Sequence, residues 1–344
     1  MENWINHKGK RDDLVLSSRI RLARNIDKMP FPHKLNIERG REIVKLVENA
    51  FYGSVNMDKD YITNYLSDKD LIENQVHLER HLISKDLINN SSKAAFIMDK
   101  NETVSIMINE EDHIRIQCIA SSLNLEEAYT IGNKIDDLFE EKLNYAFDET
   151  LGYITACPTN IGTGLRASVM IHLPILSLNN KMSGVINAVS QVGMAVRGLY
   201  GEGSKAYGNI YQISNQVTLG LSEEEIISNL EAVVKQIINE ENLLREELIK
   251  NYRYEIEDRI YRALGILKSA VLLNSNECIK LLSDVRLGVE MGIIKDVDNV
   301  ILNNLLVDTQ AASIQQIHKE KLSNKEIEFS IGKIVKERLD KVIL

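Results

Sequence analysis

Thr103–Ile119 reads TVSIMINEEDHIRIQCI, and this stretch decides the class of fold. In its first half Val104, Ile106 and Ile108 share one face of an extended chain. In its second half Ile114, Ile116 and Cys118 oppose His113, Arg115 and Gln117. Alternation with period two marks strands that bury one face. Only Asn109–Asp112 separates the halves, whereas parallel neighbours need a crossover of a dozen or more residues, so antiparallel pairing is expected. Further out the pattern recurs. In Arg166–Leu173 (RASVMIHL), Ala167, Val169, Ile171 and Leu173 oppose Arg166, Ser168, Met170 and His172. In Ser17–Arg21 (SSRIR), Arg19 and Arg21 share a face, with Ile20 and Leu22 on the other.

The character changes after Gly220. Ser222-Glu223-Glu224-Glu225 is a capping box with acidic residues where the helix dipole favours them. No glycine occurs from Leu221 to Leu264, and all four prolines (Pro30, Pro32, Pro158, Pro174) lie earlier in the chain. Ile226, Leu230, Val233, Val234 and Ile237 recur at helical spacing. Further amphipathic helices are expected at Tyr254–Leu264, Glu277–Glu290, Asn299–Leu306 and Lys325–Leu339. The expected plan is an α+β domain over residues 1–248, an antiparallel sheet flanked by helices, followed by an all-helical domain over 249–344.

Composition narrows the function. The chain has 344 residues, enough for a large core, and 41 Lys+Arg against 50 Asp+Glu give a net charge of −9. Nucleic acids and anionic membranes reward a basic surface, so neither is an expected partner. Cys118, Cys157 and Cys278 are isolated, which disfavours a disulfide framework or a structural zinc site and fits a reducing cytoplasm. No apolar run approaches the roughly 20 residues of a membrane span, and MENWINHKGKRDD lacks the apolar centre of a secretory signal.

Simple motif readings fail. Gly162-Thr163-Gly164-Leu165-Arg166-Ala167 matches the dinucleotide-turn pattern, but a strand rather than a helix follows it. A P-loop is absent. His77 and His81 are four apart but lack the zincin order and a third ligand. What stands out is a series of arginines in strand and loop motifs: Arg19, Arg21, Arg115, Arg166 and Arg197. Any one of them reads by default as a surface arginine. Together they suit a polyphosphate, because a guanidinium is always charged and binds oxygens bidentately.

At these positions the chain resembles the ATP:guanido phosphotransferases, the family of arginine and creatine kinases. Cys157-Pro158-Thr159-Asn160-Ile161-Gly162-Thr163 resembles the family signature, and Asn109-Glu110-Glu111-Asp112-His113-Ile114-Arg115 its NEEDHLR motif. Ser18–Arg21, Arg166–Ser168 and Arg197–Glu202 resemble its remaining site segments, in the same order. The resemblance implies ATP lying across an antiparallel sheet, with Arg19, Arg21, Arg115, Arg166 and Arg197 on its phosphates. It implies that Glu111 and Glu202 hold the acceptor guanidinium beside Cys157, and that His81 contacts the nucleotide. Ser17, Ser18, Ile20, Ala167, Ser168, Val169, Met170, Gly198, Leu199, Tyr200 and Gly201 complete the implied nucleotide site, the Ala167–Met170 stretch through backbone groups. Mg²⁺ is expected on the phosphates and water rather than in a protein cage.

The departures point to the acceptor. Small-molecule members of the family carry a helical domain of about one hundred residues before the SxRxR strand, as the resemblance implies. Here Arg19 is near the start, and the helical residues follow the catalytic region. This order resembles the bacterial protein-arginine kinases of the McsB type, which phosphorylate arginine side chains in proteins. An open cleft suits an acceptor carried on a polypeptide. The resemblance further implies a role in protein quality control and stress response. It implies an McsA-type activator, the Clp protease machinery and a repressor client as partners, and a homodimer. At the place comparable to the RDxxRA motif of related kinases the chain reads Glu326-Ile327-Glu328-Phe329-Ser330-Ile331-Gly332, so phosphoarginine activation is expected to be weak or missing. The alternatives are a small-molecule arginine kinase and a catalytically silent ATP-binding adaptor.

Overall fold

The structure is a computed structural model that describes residues 1–10, 13–53, 60–198, 206–319 and 321–340. Its strands are β1 (Val15–Arg24), β2 (Tyr61–Tyr65), β3 (Ala95–Asp99), β4 (Val104–Ile108) and β5 (Ile114–Ser121). A small hairpin of β6 (Phe147–Asp148) and β7 (Gly152–Tyr153) precedes β8 (Leu165–His172), β9 (Met194–Gly198) and β10 (Ile210–Asn215). Eight of these form one sheet in the order β2-β3-β4-β5-β1-β8-β10-β9, and every pairing in it is antiparallel. The expected strands around residues 104, 114 and 166 are all present.

The helices of the first part are α1 (Ile37–Tyr52), α2 (Leu71–Glu79), α3 (Lys85–Asn89), α4 (Leu125–Glu140), α5 (Pro174–Leu178) and α6 (Met182–Gln191). They are followed by α7 (Glu223–Ser269), α8 (Ser275–Glu290), α9 (Asn299–Asp308), α10 (Ala311–His318) and α11 (Asn324–Leu339). The sheet's apolar face, with Ile20, Leu22, Ile116, Ala167 and Val169 buried, is covered by α1, α4 and α7. Helix α4 packs against the sheet at Gly132, where even a Cβ would make only ordinary contact with Cys118 Sγ (3.6 Å) and Ile20 (3.8 Å). With that face covered, the arginine face is left for a site.

The Ser222 capping box forms in full: Glu225 N donates to Ser222 Oγ and Ser222 N to Glu225 Oε2. The segment expected as a separate helix at Tyr254–Leu264 is instead the second part of α7. Nothing between residues 221 and 264 stops a helix, and only Tyr252 (φ −139°, ψ 40°) departs from helical geometry. Position 248 therefore falls within a helix, and one apolar core runs from Trp4 to Leu339. Helix α10 was not anticipated. Glu79, at the end of α2, accepts from Ala312 N and Ser313 N at 2.9 Å, so this helix is capped from 233 positions away.

Gly162 (φ +108°) and Gly164 (φ +63°) shape the turn into β8. A Cβ would meet Thr218 O at 2.3 Å in the first case and Ala23 O at 2.6 Å in the second, so both positions need glycine. Among the described residues no helix is long and apolar enough to cross a membrane.

Candidate active site

Strand register assembles the site. Arg115 on β5 stands opposite Ala23 on β1, Arg21 opposite both Gln117 and Arg166, and Arg19 opposite Ser168. On β10, Gln212 lies opposite Met170 and also opposite Arg197 of β9. Paired residues share a face of a sheet. Five arginines from four strands therefore stand on one side, although residues 19 and 197 are far apart in the chain.

Over this face lies a cleft of about 660 Å³ whose lining includes Arg21, Asp86, Glu111, Arg115, Cys157, Arg166, Arg197 and Gln216. Its acidic wall is built by the β4–β5 connection. Glu110 is buried and takes Arg115 Nη1 at 2.6 Å, while Glu111 keeps a partly exposed carboxylate in the cleft, 3.2 Å from Arg115 Nη2. Asn109 holds the turn in a left-handed conformation (φ 59°), its amide donating to Gly40 O and Lys93 O. Buried Asp112 accepts from Asn25 Nδ2 at 2.6 Å and from Ala156 N at 2.7 Å. One loop thus presents Glu111 and also fixes the chain that presents Cys157, whose Sγ lies 3.0 Å from Thr159 Oγ1.

The electrostatics favour an incoming polyanion. Burial, followed by the charges of Arg115 and Arg166, pushes the Arg19 guanidinium down to about 10. Arg21 is held well below its ordinary value by burial and then by Arg19, Arg115 and Arg166, and its Nε has no hydrogen-bond partner among the described residues. Burial alone would lower Arg115, yet Glu110, Asp112 and Glu111 raise it. A ligand with several anionic oxygens would relieve this crowding of like charge, and binding that relieves it stabilises the folded state. The Glu111 carboxyl is raised, first by burial and then by Asp112, Glu110 and Asp86 against Arg115.

Four residues of the implied nucleotide site turn their side chains away from the cleft, so only their backbone groups can face it, as implied for Ala167 and Val169. Ser18, Ile20, Ala167 and Val169 direct their side chains to the opposite face, where all four are buried. Ser18 Oγ there donates to Ser122 O and accepts from Asn124 N. The alternation that puts Arg19 and Ser168 in the cleft necessarily turns their neighbours away. Gly198 ends β9 opposite Tyr211. Leu199, Tyr200, Gly201 and Glu202 lie outside the described residues. Ser17, Arg19, His81, Ser168 and Met170 meet in a second cavity of about 20 Å³, together with Trp4, Ile119 and Gln212. His81 lies beyond the end of α2 and shares no helix face with His77. The sequence reading missed Trp4, Asp86, Gln212 and Gln216, which belong to no motif; Trp4 alone carried a signal, as the single tryptophan.

An arginine-lined sheet face with a partly exposed carboxylate at its edge can hold a polyanion beside a cationic group. Residues 42–244 match the ATP:guanido phosphotransferase C-terminal catalytic domain, and residues 253–343 the protein-arginine kinase McsB C-terminal domain. The protein-arginine kinase of Clostridium kluyveri is 66% identical over 340 residues, covering 98% of this chain and 99% of that one. That of Clostridium acetobutylicum is 56% identical over 339 residues, covering 98% and 100%. The crystal structure of lombricine kinase superposes with a TM-score of 0.59 at 28% identity over 70% of each chain. The chain belongs to the ATP:guanido phosphotransferase family, in its protein-arginine kinase branch.

Proposed function

We propose that this protein transfers the γ-phosphoryl group of ATP to arginine side chains of other proteins. The observation that carries the reading is the single cleft in which Glu111 faces Arg21, Arg115, Arg166 and Arg197. A guanidinium is a poor nucleophile because its lone pairs are delocalised and it is always protonated. A carboxylate can orient it and take the departing proton as nitrogen attacks phosphorus, and a raised pKa makes that carboxylate a stronger base. Phosphoryl transfer otherwise needs alignment and charge neutralisation, which fixed arginines supply. Glu202 is the second carboxylate of this proposal and Cys157 the neighbour of the acceptor. Mg²⁺ would be held by the phosphates and water. When bound, it supplies further neutralisation of the phosphate oxygens.

The proposal extends to a cytoplasmic protein acting in stress-linked protein quality control. Its partners would be an McsA-type activator, the Clp protease machinery and a repressor client, and residues 249–344 would serve dimerisation or partner docking. The test is mass spectrometry of an arginine-rich protein incubated with enzyme and MgATP, under conditions that preserve the P–N bond. Phosphoarginine is expected. Glu111→Ala and Glu202→Ala should each lower its formation about a hundredfold or more while retaining nucleotide. Equal or better turnover of free arginine would show a small-molecule kinase, and wild-type inactivity towards every guanidino acceptor an adaptor.

A further inference from the structure

The kinase reading leaves the nucleoside end of the site without an owner, and the geometry locates it. Glu111 and Cys157 mark where the acceptor enters, so the phosphates lie between them and the rest of the nucleotide. Away from that end, β1 presents Arg21, then Arg19, then Ser17 on the same face, at roughly 6.6 Å per step. This row leads into the second cavity. Its walls are Trp4, His81, Ile119 and Met170, with Ser17 and Gln212 as polar groups. An aromatic and aliphatic lining with a few convergent polar groups suits a flat heteroaromatic base.

At about 20 Å³ the cavity holds roughly one water and no purine. One wall must therefore move. The His81 backbone is held to the sheet, because Gln117 Nε2 donates to the carbonyls of His81 and Leu82 at 2.9 and 3.2 Å. Ile119 and Met170 stand on central strands. Trp4 is different: it lies in a turn outside the sheet, its ring centroid 6.2 Å from that of His81 and tilted by 48°. Its carbonyl accepts from Asn303 Nδ2 of α9 at 2.9 Å, and although the residue is buried at the edge of the core, its indole makes no hydrogen bond among the described residues. Burial, followed by the charge of Arg19, pushes His81 down to about 4, so the facing ring is neutral at physiological pH.

We propose that Trp4 is a nucleotide-binding residue: its indole swings off His81, admits the base and stacks on it, while Asn303 of the helical region holds its backbone in place. This rests on the kinase reading and adds to it a residue from outside every site motif.

The full-length protein provides the test, because Trp4 is the only tryptophan and its emission reports on this cavity alone. MgADP should change that emission saturably, while inorganic tripolyphosphate, which engages only the arginines, should not. By calorimetry, Trp4→Ala should weaken MgADP about tenfold, leave tripolyphosphate affinity unchanged, and be largely rescued by Trp4→Phe. Binding of MgADP to the unaltered protein without a change in emission would overturn the proposal, and this arm needs no variant to fold. So would unchanged MgADP affinity in Trp4→Ala, or an equal loss for both ligands. If the unaltered protein binds neither ligand, the kinase reading itself falls.

Discussion

Glu110 and Glu111 are neighbours of identical chemistry with opposite duties. Glu110 is buried against Arg115 and Ser84, and holds a guanidinium in place. Glu111 faces the cleft with its carboxyl raised. In the proposed mechanism Glu111 reacts as the carboxylate, so lowering the pH through a raised pKa should remove activity earlier than for an ordinary glutamate. The acid limb of kcat/KM should have its midpoint above 4.5, the usual value. Asp86→Asn should move that midpoint down, because removing a neighbouring negative charge eases ionisation. A pH–rate profile checks both; a limb below 4.5, or a midpoint that rises in the variant, contradicts the assignment.

Among the elements, β8 is tied to the helices behind it by a buried polar network. It begins at the arginine cleft and ends at His172, whose Nδ1 lies 3.0 Å from both Glu290 oxygens and whose Nε2 lies 2.8 Å from Ser283 Oγ. Glu290 also accepts from Arg245 Nη2 at 2.7 Å, and Arg245 Nε donates to Glu241. Glu241 in turn caps α5, accepting from Ile175 N and Leu176 N. Burial would raise the Glu290 carboxyl, but His172 and Arg245 bring it below its ordinary value. Its contribution to stability is therefore present above the unfolded pKa and is lost as pH falls through the depressed folded one. His172→Ala removes one partner from a fully buried carboxylate and should cost about 3 kcal/mol. Urea unfolding at neutral pH measures this, and a loss near zero would remove the network from the account.

At the scale of the whole molecule, the helical region and the catalytic sheet share one core, and α9, α10 and α8 reach Trp4, α2 and β8 respectively. Changes in the helices can therefore be felt on both sides of the cleft. One regulatory input, activation by phosphoarginine, is expected to be weak or missing. Where related kinases carry RDxxRA, α11 presents Ser330, Ile331 and Gly332 to the core. A Cβ on Gly332 would sit 2.8 Å from Val271 O, so the position is packed rather than open. Adding a phosphoarginine peptide should leave the transfer rate unchanged; a rate that climbs with peptide concentration would show a second anion site.

Strand faces, the capping box of α7 and the order of the arginine motifs were legible from the chain alone, because periodicity and capping are settled among residues a few positions apart. So was the fact that Arg19 and Arg21 share a face. Local patterns left the run of α7 past Leu248 open, since no glycine or proline occurs from Leu221 to Leu264, but they could not show its irregularity at Tyr252. Nor could they show the cap that Glu79 places on α10, the entry of Asp86 into the acceptor cleft, or the seat of Trp4 beside His81. Asn303 reaches the Trp4 carbonyl across 299 positions. Contacts of that span are selected by how whole elements fit together in space, and the residues that make them carry no mark of it in their immediate neighbours.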